Sequence, residues 1–443
     1  MTERTERGIR HLTPEGRNGA YGTERSGKGR VFHGRFVSAP EPDTLQVMDS
    51  AYVSVDAAGR IRSIRPEKPD TEGGAETVEL GDALVIPAFT DLHLHSAQLP
   101  MAGLGCDGTG EEWFRLYCHP TEQAYAEPEN AERVNAALTD QLLRYGSLHA
   151  VMMTASDLPS ALNLVSHLRR RGLEAFVGKM NSDFSEDGQA PETTEASVQG
   201  TETLIRALEG EDRIRCILSP EYIPACSEAL LDALGRLAKR YGLPVQSHMN
   251  ENPFDTAAVR KRFPEERTYA RVWDRFGLFG QTPTVMAHCT YAEEESLALM
   301  ARRGVFLAYC PDAIVHIPND RYLNVRECMR KGIPVGLGSD VGGGHTLDMR
   351  RVIVNAQLVS KVSGRTDPLT LTEAFYLGTR GGGRFFGDTG CFAEGMYFDA
   401  LVIDDRELRQ FRPYTLPERL ARFLYAGSAE MIRGRILRGV RTG

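Results

Sequence analysis

Four short apolar runs in this chain each end in a residue that can bind a metal ion. The first run leads into His93 and His95, and the others end at His248, His288 and Asp340. In an extended strand, residues i and i+2 point to the same side, so both imidazoles of the first run can reach one ion. A (β/α)8 barrel places its catalytic groups at the carboxyl ends of its strands. The pattern therefore predicts a parallel α/β barrel with a metal site at one end.

Helical patterns separate the strand-like runs, as a parallel barrel requires. Further strand-like runs lie at 149–154, 174–179, 214–219 and 304–309. Ser227 is placed to cap a helix that ends before Gly242 and whose leucines recur at helical spacing, at positions 230, 231, 234 and 237. We interpret that leucine stripe as a face of the core.

The two ends of the chain have a different character from the middle. Short β-like stretches fill residues 31–80, with a turn at 56–59, and similar stretches return near 397–403 and 431–437. We expect residues 30–86 and 392–443 to form one small β-sandwich domain, and residues 87–391 to form the barrel. Residues 1–29 are rich in Arg, Glu, Gly and Thr, which predicts a disordered arm.

Composition narrows the class of protein. The chain has 443 residues, 41% of them hydrophobic, and a formal net charge of −8, which gives no electrostatic case for binding nucleic acid. Its eight cysteines include no Cys-x-x-Cys pair, as expected for reduced thiols in the cytoplasm. No apolar run approaches membrane-spanning length, and the first residues lack the apolar core of a signal peptide. We expect a cytoplasmic protein with no membrane partner.

The strand-end residues and their neighbours resemble the amidohydrolase superfamily, in its subgroup with one metal ion. The similarity runs from roughly Val31 to near the C terminus and extends beyond the metal ligands. Several motifs are similar to those of guanine deaminases specifically, at 93–98, Trp113, 120–122, 176–179, 247–252, 286–288 and 336–343. The resemblance implies a metal-dependent hydrolase that is a homodimer.

The resemblance also implies roles for the strand-end residues. It assigns His93, His95, His248 and Asp340 as ligands of one divalent ion, with zinc as the first choice and iron as the alternative. Three nitrogens and one carboxylate leave an open position, and such a site lowers the pKa of bound water toward neutrality. His288 would lie beside that water, and Asp340 would also accept its proton.

A carboxylate three residues after a ligand completes the predicted chemistry. Glu251 follows His248 on the loop that leaves the fifth strand, where the family has its proton shuttle. A glutamate on a loop is usually only a solvated charge. Its position beside a metal ligand favours instead a catalytic acid and base that carries a proton to a ring nitrogen and then to the departing amine.

A site with two metal ions is the structural alternative. Many barrel hydrolases of this superfamily bridge two ions with a carbamylated lysine on strand four. The corresponding segment here, 218–221, contains no lysine, and Lys179 ends strand three instead. The sequence therefore favours one metal ion.

The expected substrate pocket departs from the guanine deaminases. These enzymes carry an Arg-Phe pair after strand four, where this chain has Glu221 and Tyr222, and their Pro-Asn-Ser-Asn run is replaced by one containing Asp312. Exchanging arginine for glutamate turns donors into acceptors. With Gln98 and Trp113 retained, these five substrate-binding candidates predict a guanine analogue, rich in donors or cationic, rather than guanine itself. Alternatively, Glu221 pairs with an arginine and leaves selectivity unchanged.

Three functions remain open at this point. The first is an aminohydrolase that releases ammonia from a nitrogen heterocycle resembling guanine. The second keeps the scaffold but cleaves a cyclic amide, a cyclic guanidine or a chloro substituent. The third is a catalytically silent binding protein on the same barrel, which the complete ligand set disfavours.

Overall fold

The computed structural model describes residues 29–69, 75–186, 188, 190–316, 321–363 and 366–442, together with the backbone of Ile9–His11. Apart from that tripeptide and Gly29, the predicted N-terminal arm at 1–29 lies outside the described residues. The chain divides into two compact units. Unit 1 contains Met1–Thr90, Leu142–Leu148 and Thr370–Gly443, and unit 2 contains Asp91–Gln141 and His149–Leu369.

In the described part of the chain, the strands are β1 (Ile9–His11), β2 (Arg30–Glu41), β3 (Thr44–Val55), β4 (Ile61–Arg65), β5 (Glu76–Pro87), β6 (Phe89–His95), β7 (Ser147–Met153), β8 (Glu174–Gly178), β9 (Met180–Asn181), β10 (Ile214–Cys216), β11 (Ser219–Pro220), β12 (Val245–Met249), β13 (Thr284–His288), β14 (Phe306–Tyr309), β15 (Val335–Leu337), β16 (Ala400–Ile403), β17 (Ile432–Leu437) and β18 (Val440–Arg441).

The α-helices of the same residues are α1 (Gly110–Trp113), α2 (His119–Tyr125), α3 (Pro128–Tyr145), α4 (Leu158–Arg171), α5 (Thr194–Ala207), α6 (Glu228–Tyr241), α7 (Pro253–Arg262), α8 (Tyr269–Arg275), α9 (Glu294–Arg303), α10 (Pro311–His316), α11 (Val325–Arg330), α12 (Met349–Val362), α13 (Leu371–Tyr376), α14 (Gly382–Phe386) and α15 (Leu416–Ala426). None of them is long and apolar enough to cross a membrane.

Unit 1 contains a sheet to which both ends of the chain contribute strands. Its order is β18-β17-β16-β5-β2-β3-β4, with β1 beside β5, and β16 runs antiparallel to β5. Aromatic rings from both ends pack in its core, where the ring centroids of Phe32 and Phe398 lie 4.4 Å apart and those of Phe36 and Phe392 lie 5.4 Å apart. Closure of this sheet into a sandwich, and the boundaries at 30–86 and 392–443, stay predictions.

The turn predicted between β3 and β4 is present, and it depends on one side chain and one glycine. The carboxylate of Asp56 accepts hydrogen bonds from the backbone N–H groups of Ala58 and Arg60, each at 2.9 Å. Gly59 has φ +90°, a conformation that L side chains rarely adopt, and it packs against the backbone of Arg438. An asparaginyl or aspartyl turn followed by glycine is a frequent solution for such a reversal.

Unit 2 alternates parallel strands with helices, as the sequence predicted. Two four-stranded sheets have the orders β10-β8-β7-β6 and β12-β13-β14-β15, and β9 pairs with β11. The strand pairs from β7 to β15 are parallel. A bridge between Leu218 and Val245 connects the two sheets at one side, and the N–H of Asp340 donates to the carbonyl of His93 (2.8 Å) at the other.

Helix α6 shows why these residues form helices. The hydroxyl of Ser227 accepts from the N–H of Leu230 at 3.0 Å, which caps the first turn, and Gly242 ends the helix at φ +64°. Leu230, Leu231 and Leu234 are fully buried, and Leu237 is nearly so. Burying each leucine stabilises the fold by roughly 1.5–3 kcal/mol, so the predicted leucine face is the face that packs.

Replacing Gly59 with alanine should destabilise the protein more than the same replacement at Gly242, another glycine with a positive φ. A Cβ at position 59 would lie 2.3 Å from the carbonyl oxygen of Arg438, whereas a Cβ at Gly242 would meet nothing within 4 Å. Gly242→Ala should cost about 1–2 kcal/mol of strain, and Gly59→Ala should add about 1–3 kcal/mol of overpacking. Urea unfolding followed by circular dichroism measures both; equal losses would show that the contact with Arg438 relaxes freely.

Candidate metal centre and active site

The five strand-end residues predicted from the sequence converge in unit 2. His93 and His95 lie at the end of β6, His248 lies in β12, His288 ends β13, and Asp340 follows β15. Each residue is less than a tenth exposed. Sequence positions as far apart as 93 and 340 therefore meet because parallel strands bring their carboxyl ends to one edge.

The spacing of the donor atoms suits a metal ion. Nε2 of His95 lies 3.0 Å from Nε2 of His248, and Nε2 of His93 and Nε2 of His95 each lie 3.5 Å from Oδ1 of Asp340. Nδ1 of His248 donates to the carbonyl oxygen of Glu221, so its Nε2 carries a lone pair. Nε2 of His93 is buried and has no hydrogen-bond partner among the described residues.

Protonation of these groups also matches metal binding. Burial, followed by the neighbouring imidazoles, holds the pKa values of His93 and His95 well below the usual range, and burial lowers those of His248 and His288. The rings are therefore neutral at pH 7, which is the form that ligates a metal. Each neutral imidazole has a lone pair on one nitrogen, and the donor atoms of His93, His95 and Asp340 lie within 4.8 Å of one another, so the set fits one divalent ion.

Backbone conformations that side chains rarely adopt cluster at these strand ends. Positive φ angles occur at Asn250 (48°), His288 (69°), Cys289 (53°) and Asp340 (49°). Left-handed backbone at non-glycine residues costs roughly 1–3 kcal/mol each and persists where the surroundings enforce it. Asp340 is a predicted ligand and His288 lies beside the predicted ligands, so the strained backbone is concentrated at and next to the strand-end residues.

Asp91 supports the centre and was not identified from the sequence. Its Oδ1 accepts from the N–H of Ser339 (2.9 Å) and of His93 (3.3 Å), which ties the segment carrying Asp340 to β6. Burial raises the pKa of Asp91 to about 7. The only available signal was an acidic residue inside an otherwise apolar strand, two positions before the first ligand.

Glu251 lies beside the predicted ligands, as expected. Its Oε1 is 3.8 Å from Nε2 of His288, which is in turn 3.8 Å from Oδ2 of Asp340. The loop is held by Asp255, whose carboxylate accepts from the N–H of Glu251 at 3.0 Å. Burial raises the pKa of Glu251 to about 7, against the lowering effect of His248. A carboxyl group with that pKa exchanges protons readily near neutral pH.

Two predicted substrate-binding residues form one wall near these groups. Nε2 of Gln98 donates to Glu122 at 2.9 Å and lies 3.5 Å from Sγ of Cys118. Trp113 packs with Met101 and Cys118, and its indole N–H is buried without a partner among the described residues. Gln98 and Trp113 therefore share a boundary formed by the segment after β6. Glu122 is a pocket residue to which the sequence assigned no role.

Glu221 and Tyr222 directly follow strand β11. Burial raises the pKa of Glu221, with Ser182 lowering it by a hydrogen bond and Glu251 raising it by repulsion. Burial also raises the pKa of Tyr222, and repulsion from Glu221 is the next largest cause. Among the described residues, no arginine or lysine contributes to either shift, so the alternative in which Glu221 pairs with an arginine has no support there.

Asp312 faces a different neighbourhood. Its side chain is fully buried, Oδ1 accepts from the amide of Asn355 on α12 at 2.6 Å, and Oδ2 lies 3.7 Å from Nδ1 of His345. These contacts direct the carboxylate toward a helix and a loop. Its predicted contact with substrate stays a prediction.

Lys179 does not supply a bridging ligand. It is 3% exposed, and its Nζ donates to the carbonyl of Met180 and to both oxygens of Glu192, at 2.8 and 2.7 Å. Burial lowers its pKa, and Glu192 raises it. A buried pair with satisfied hydrogen bonds is a structural role, which agrees with its place at the end of strand three.

Comparison with known proteins identifies similar sequences and structures. The model of the amidohydrolase family matches residues 84–440. The guanine deaminase of Mus musculus is 32% identical over 396 residues, which cover 85% of this chain and 86% of that protein. The guanine deaminase of Dictyostelium discoideum is 27% identical over 439 residues, covering 93% of this chain and 97% of that protein.

A solved structure shows the same likeness. The crystal structure of a guanine deaminase from C. acetobutylicum, with guanine bound in its active site, aligns with a TM-score of 0.90 at 34% identity. The alignment covers 94% of this chain and 100% of that chain.

Removing one ligand should empty the centre. We expect wild-type protein to retain about one divalent ion per chain. His95→Ala should weaken the affinity for that ion by at least about 100-fold, because loss of a residue that only hydrogen-bonds a ligand already weakens metal affinity by about 10–100-fold. His33→Ala is the control, since that histidine bonds Glu79 in the unit 1 sheet. Elemental analysis measures the ion; equal metal content in wild type and His95→Ala would contradict the assignment.

Proposed function

We propose that this chain, which belongs to the amidohydrolase family, is a metal-dependent aminohydrolase that converts guanine to its deaminated product and ammonia. Family membership confirms the resemblance inferred from the strand-end motifs, and with it the expectation of a hydrolase acting on C–N bonds. The observation that carries the proposal is Glu251, a carboxyl with a pKa of about 7 placed beside a set of metal-binding residues.

The narrower expectation of a guanine analogue is not supported, and guanine takes its place. The guanine deaminase of Mus musculus, for example, is 32% identical over 85% of this chain. An ionised Glu221 would repel a carbonyl oxygen. Burial raises the pKa of Glu221, which favours the protonated carboxyl, and the O–H of that form can donate to a carbonyl. Glu221 therefore does not exclude guanine.

We propose zinc as the ion, held by His93, His95, His248 and Asp340. Imidazole nitrogens with one carboxylate are typical zinc ligands, although iron accepts the same set. When bound at such an open site, the ion supplies a water molecule of lowered pKa. The remaining chemistry belongs to side chains of the protein.

Glu251 is the proposed proton carrier. In its protonated form it donates to the ring nitrogen next to the carbon that bears the amine, and in its ionised form it accepts a proton again. Its place next to His288, at 3.8 Å, puts it near the centre, and access to both protonation states near pH 7 suits an acid that must act twice. Asp340 accepts the proton of the attacking water, and His288 orients that water.

The pocket is rich in hydrogen-bond acceptors, as guanine requires. Glu221 and Glu122 are both acidic. Repulsion from Glu221 contributes to the raised pKa of Glu122. Guanine presents N–H donors on its amine, its six-membered ring and its five-membered ring. We propose that Gln98, Trp113, Glu221 and Tyr222 contact these edges, with Asp312 as a further candidate.

Several finer features are part of the same proposal. The contacts that connect the two parallel sheets of unit 2 support closure into a (β/α)8 barrel over residues 87–391, with a β-sandwich built from 30–86 and 392–443. A homodimer that works in the cytoplasm is the arrangement we expect.

Replacing Glu251 should separate metal binding from turnover. Glu251→Gln keeps the size of the side chain but cannot exchange a proton, so kcat for guanine should fall by about 10²–10⁴, while metal content stays at the wild-type level. Ammonia release and elemental analysis give the two readouts. Glu265→Gln is the control, since that carboxylate pairs with Arg275 at the surface. Near-normal turnover by Glu251→Gln would overturn the assignment.

Guanine itself should be the preferred ring. Among guanine, other aminopurines, pterins, triazines and cyclic guanidines, wild-type protein should release ammonia from guanine with the highest kcat/KM, by at least about tenfold, because a polar pocket rejects rings that leave its groups unpaired. Chromatography should identify xanthine as the product. A tenfold preference for a cationic or donor-richer ring would refute guanine as the substrate.

A further inference from the structure

The amide of Gln98 is confined on two sides. Its Nε2 donates to Oε1 of Glu122 at 2.9 Å, with Sγ of Cys118 at 3.5 Å from the same nitrogen. The amide also packs over Gly342, where a Cβ would lie 2.3 Å from Oε1 of Gln98. The side chain is 5% exposed. The group therefore has little freedom to swing.

The two ends of this amide have opposite hydrogen-bonding character. The nitrogen only donates and the oxygen only accepts. Glu122 accepts from the nitrogen, and a carboxyl oxygen does so whether or not the other oxygen carries a proton. When Glu122 is ionised, a flipped amide would bring the oxygen of Gln98 against that oxygen, without a proton between them. Glu122 therefore selects the orientation in which Oε1 of Gln98 is the acceptor left for another partner.

Placing a carboxyl group in the environment of Glu122 costs free energy, which a purely structural residue would not require. It lies in α2, which has seven residues. Burial raises its pKa to about 7, repulsion from Glu221 raises it further, and hydrogen bonds from Gln98 and Cys118 lower it. Among the described residues, no lysine or arginine contributes to this shift. Desolvated carboxyls without a cationic partner are concentrated at functional sites.

We infer that Glu122 is a positioning residue for substrate binding, which orients the Gln98 amide so that its carbonyl accepts an N–H of the heterocycle. The inference rests on the proposed function, because it takes guanine as the ring that Gln98 contacts. Glu122 then acts through Gln98 and not on the reacting atoms. Its loss should weaken binding and leave the chemical step intact.

A double-mutant cycle tests this relationship. Glu122→Met removes the acceptor at similar size, and it should raise KM for guanine about tenfold with kcat within about threefold. Gln98→Ala should do the same, and the double variant should be no more than about twofold worse than Gln98→Ala, because each change removes the same contact. Glu122→Gln keeps an oxygen acceptor and should restore KM to within about threefold of wild type.

Controls separate this role from general damage. Glu127→Gln, at an exposed carboxylate just after α2, should leave KM unchanged. If Glu122→Met does not fold, Glu122→Asp serves instead, since it keeps the charge but withdraws the oxygen from Gln98. Thermal midpoints of all variants show whether any rise in KM accompanies unfolding.

The outcomes distinguish the two proposals. Three results would overturn the role of Glu122 while wild-type guanine turnover stands. They are multiplicative effects of the two substitutions on KM, a fall in kcat at constant KM, and failure of Glu122→Gln to restore binding. Absence of guanine turnover by the wild type would instead overturn the proposed function, and this inference with it.

Discussion

Unit 2 depends on the close approach of buried imidazole nitrogens and carboxylate oxygens at the ends of its parallel strands. Two imidazole nitrogens of His95 and His248 face each other at 3.0 Å, and the carboxylate of Asp340 lies 3.5 Å from His93 and His95. Desolvation keeps the rings of His93 and His95 neutral, so neither ring carries a second proton at pH 7. The proposed divalent ion would contact all four groups at once and would account for their burial together.

The surrounding structure is organised to hold that arrangement. Asp91 bonds the backbone of His93 and Ser339, and the carbonyl of Glu221 fixes the tautomer of His248. Asp340 itself has a left-handed backbone. A strained backbone, a buried carboxylate and a hydrogen-bonded imidazole each cost free energy locally. They occur together at the strand ends, where they fix the geometry of the predicted ligands.

Around the centre, acidic groups outnumber cationic ones. Glu122, Glu221 and Glu251 each have a pKa raised chiefly by burial, and they repel one another or Asp340. Such a pocket favours a neutral ring with many N–H donors, and it permits individual carboxyls to be protonated. The same burial bears on the charge reversal at position 221: the residue type is visible in the sequence, whereas the raised pKa of Glu221 follows from burial.

The sequence predicted the meeting of the strand-end residues, the place of Glu251 near them and the leucine face of α6, because strand-end spacing, a three-residue offset and helical periodicity are local patterns. The roles of these residues as ligands and proton carrier stay predictions. The roles of Asp91 and Glu122 were not, since each acts through a contact with a residue that only the fold brings near. Asp312 shows the same limit, because its carboxylate is directed to Asn355 by packing that no motif encodes. By itself the sequence determined which side chains can bind a metal ion and move a proton. The tertiary structure decided how far those groups are desolvated and which atoms they face, because dielectric environment and hydrogen-bond geometry are properties of the assembled neighbours.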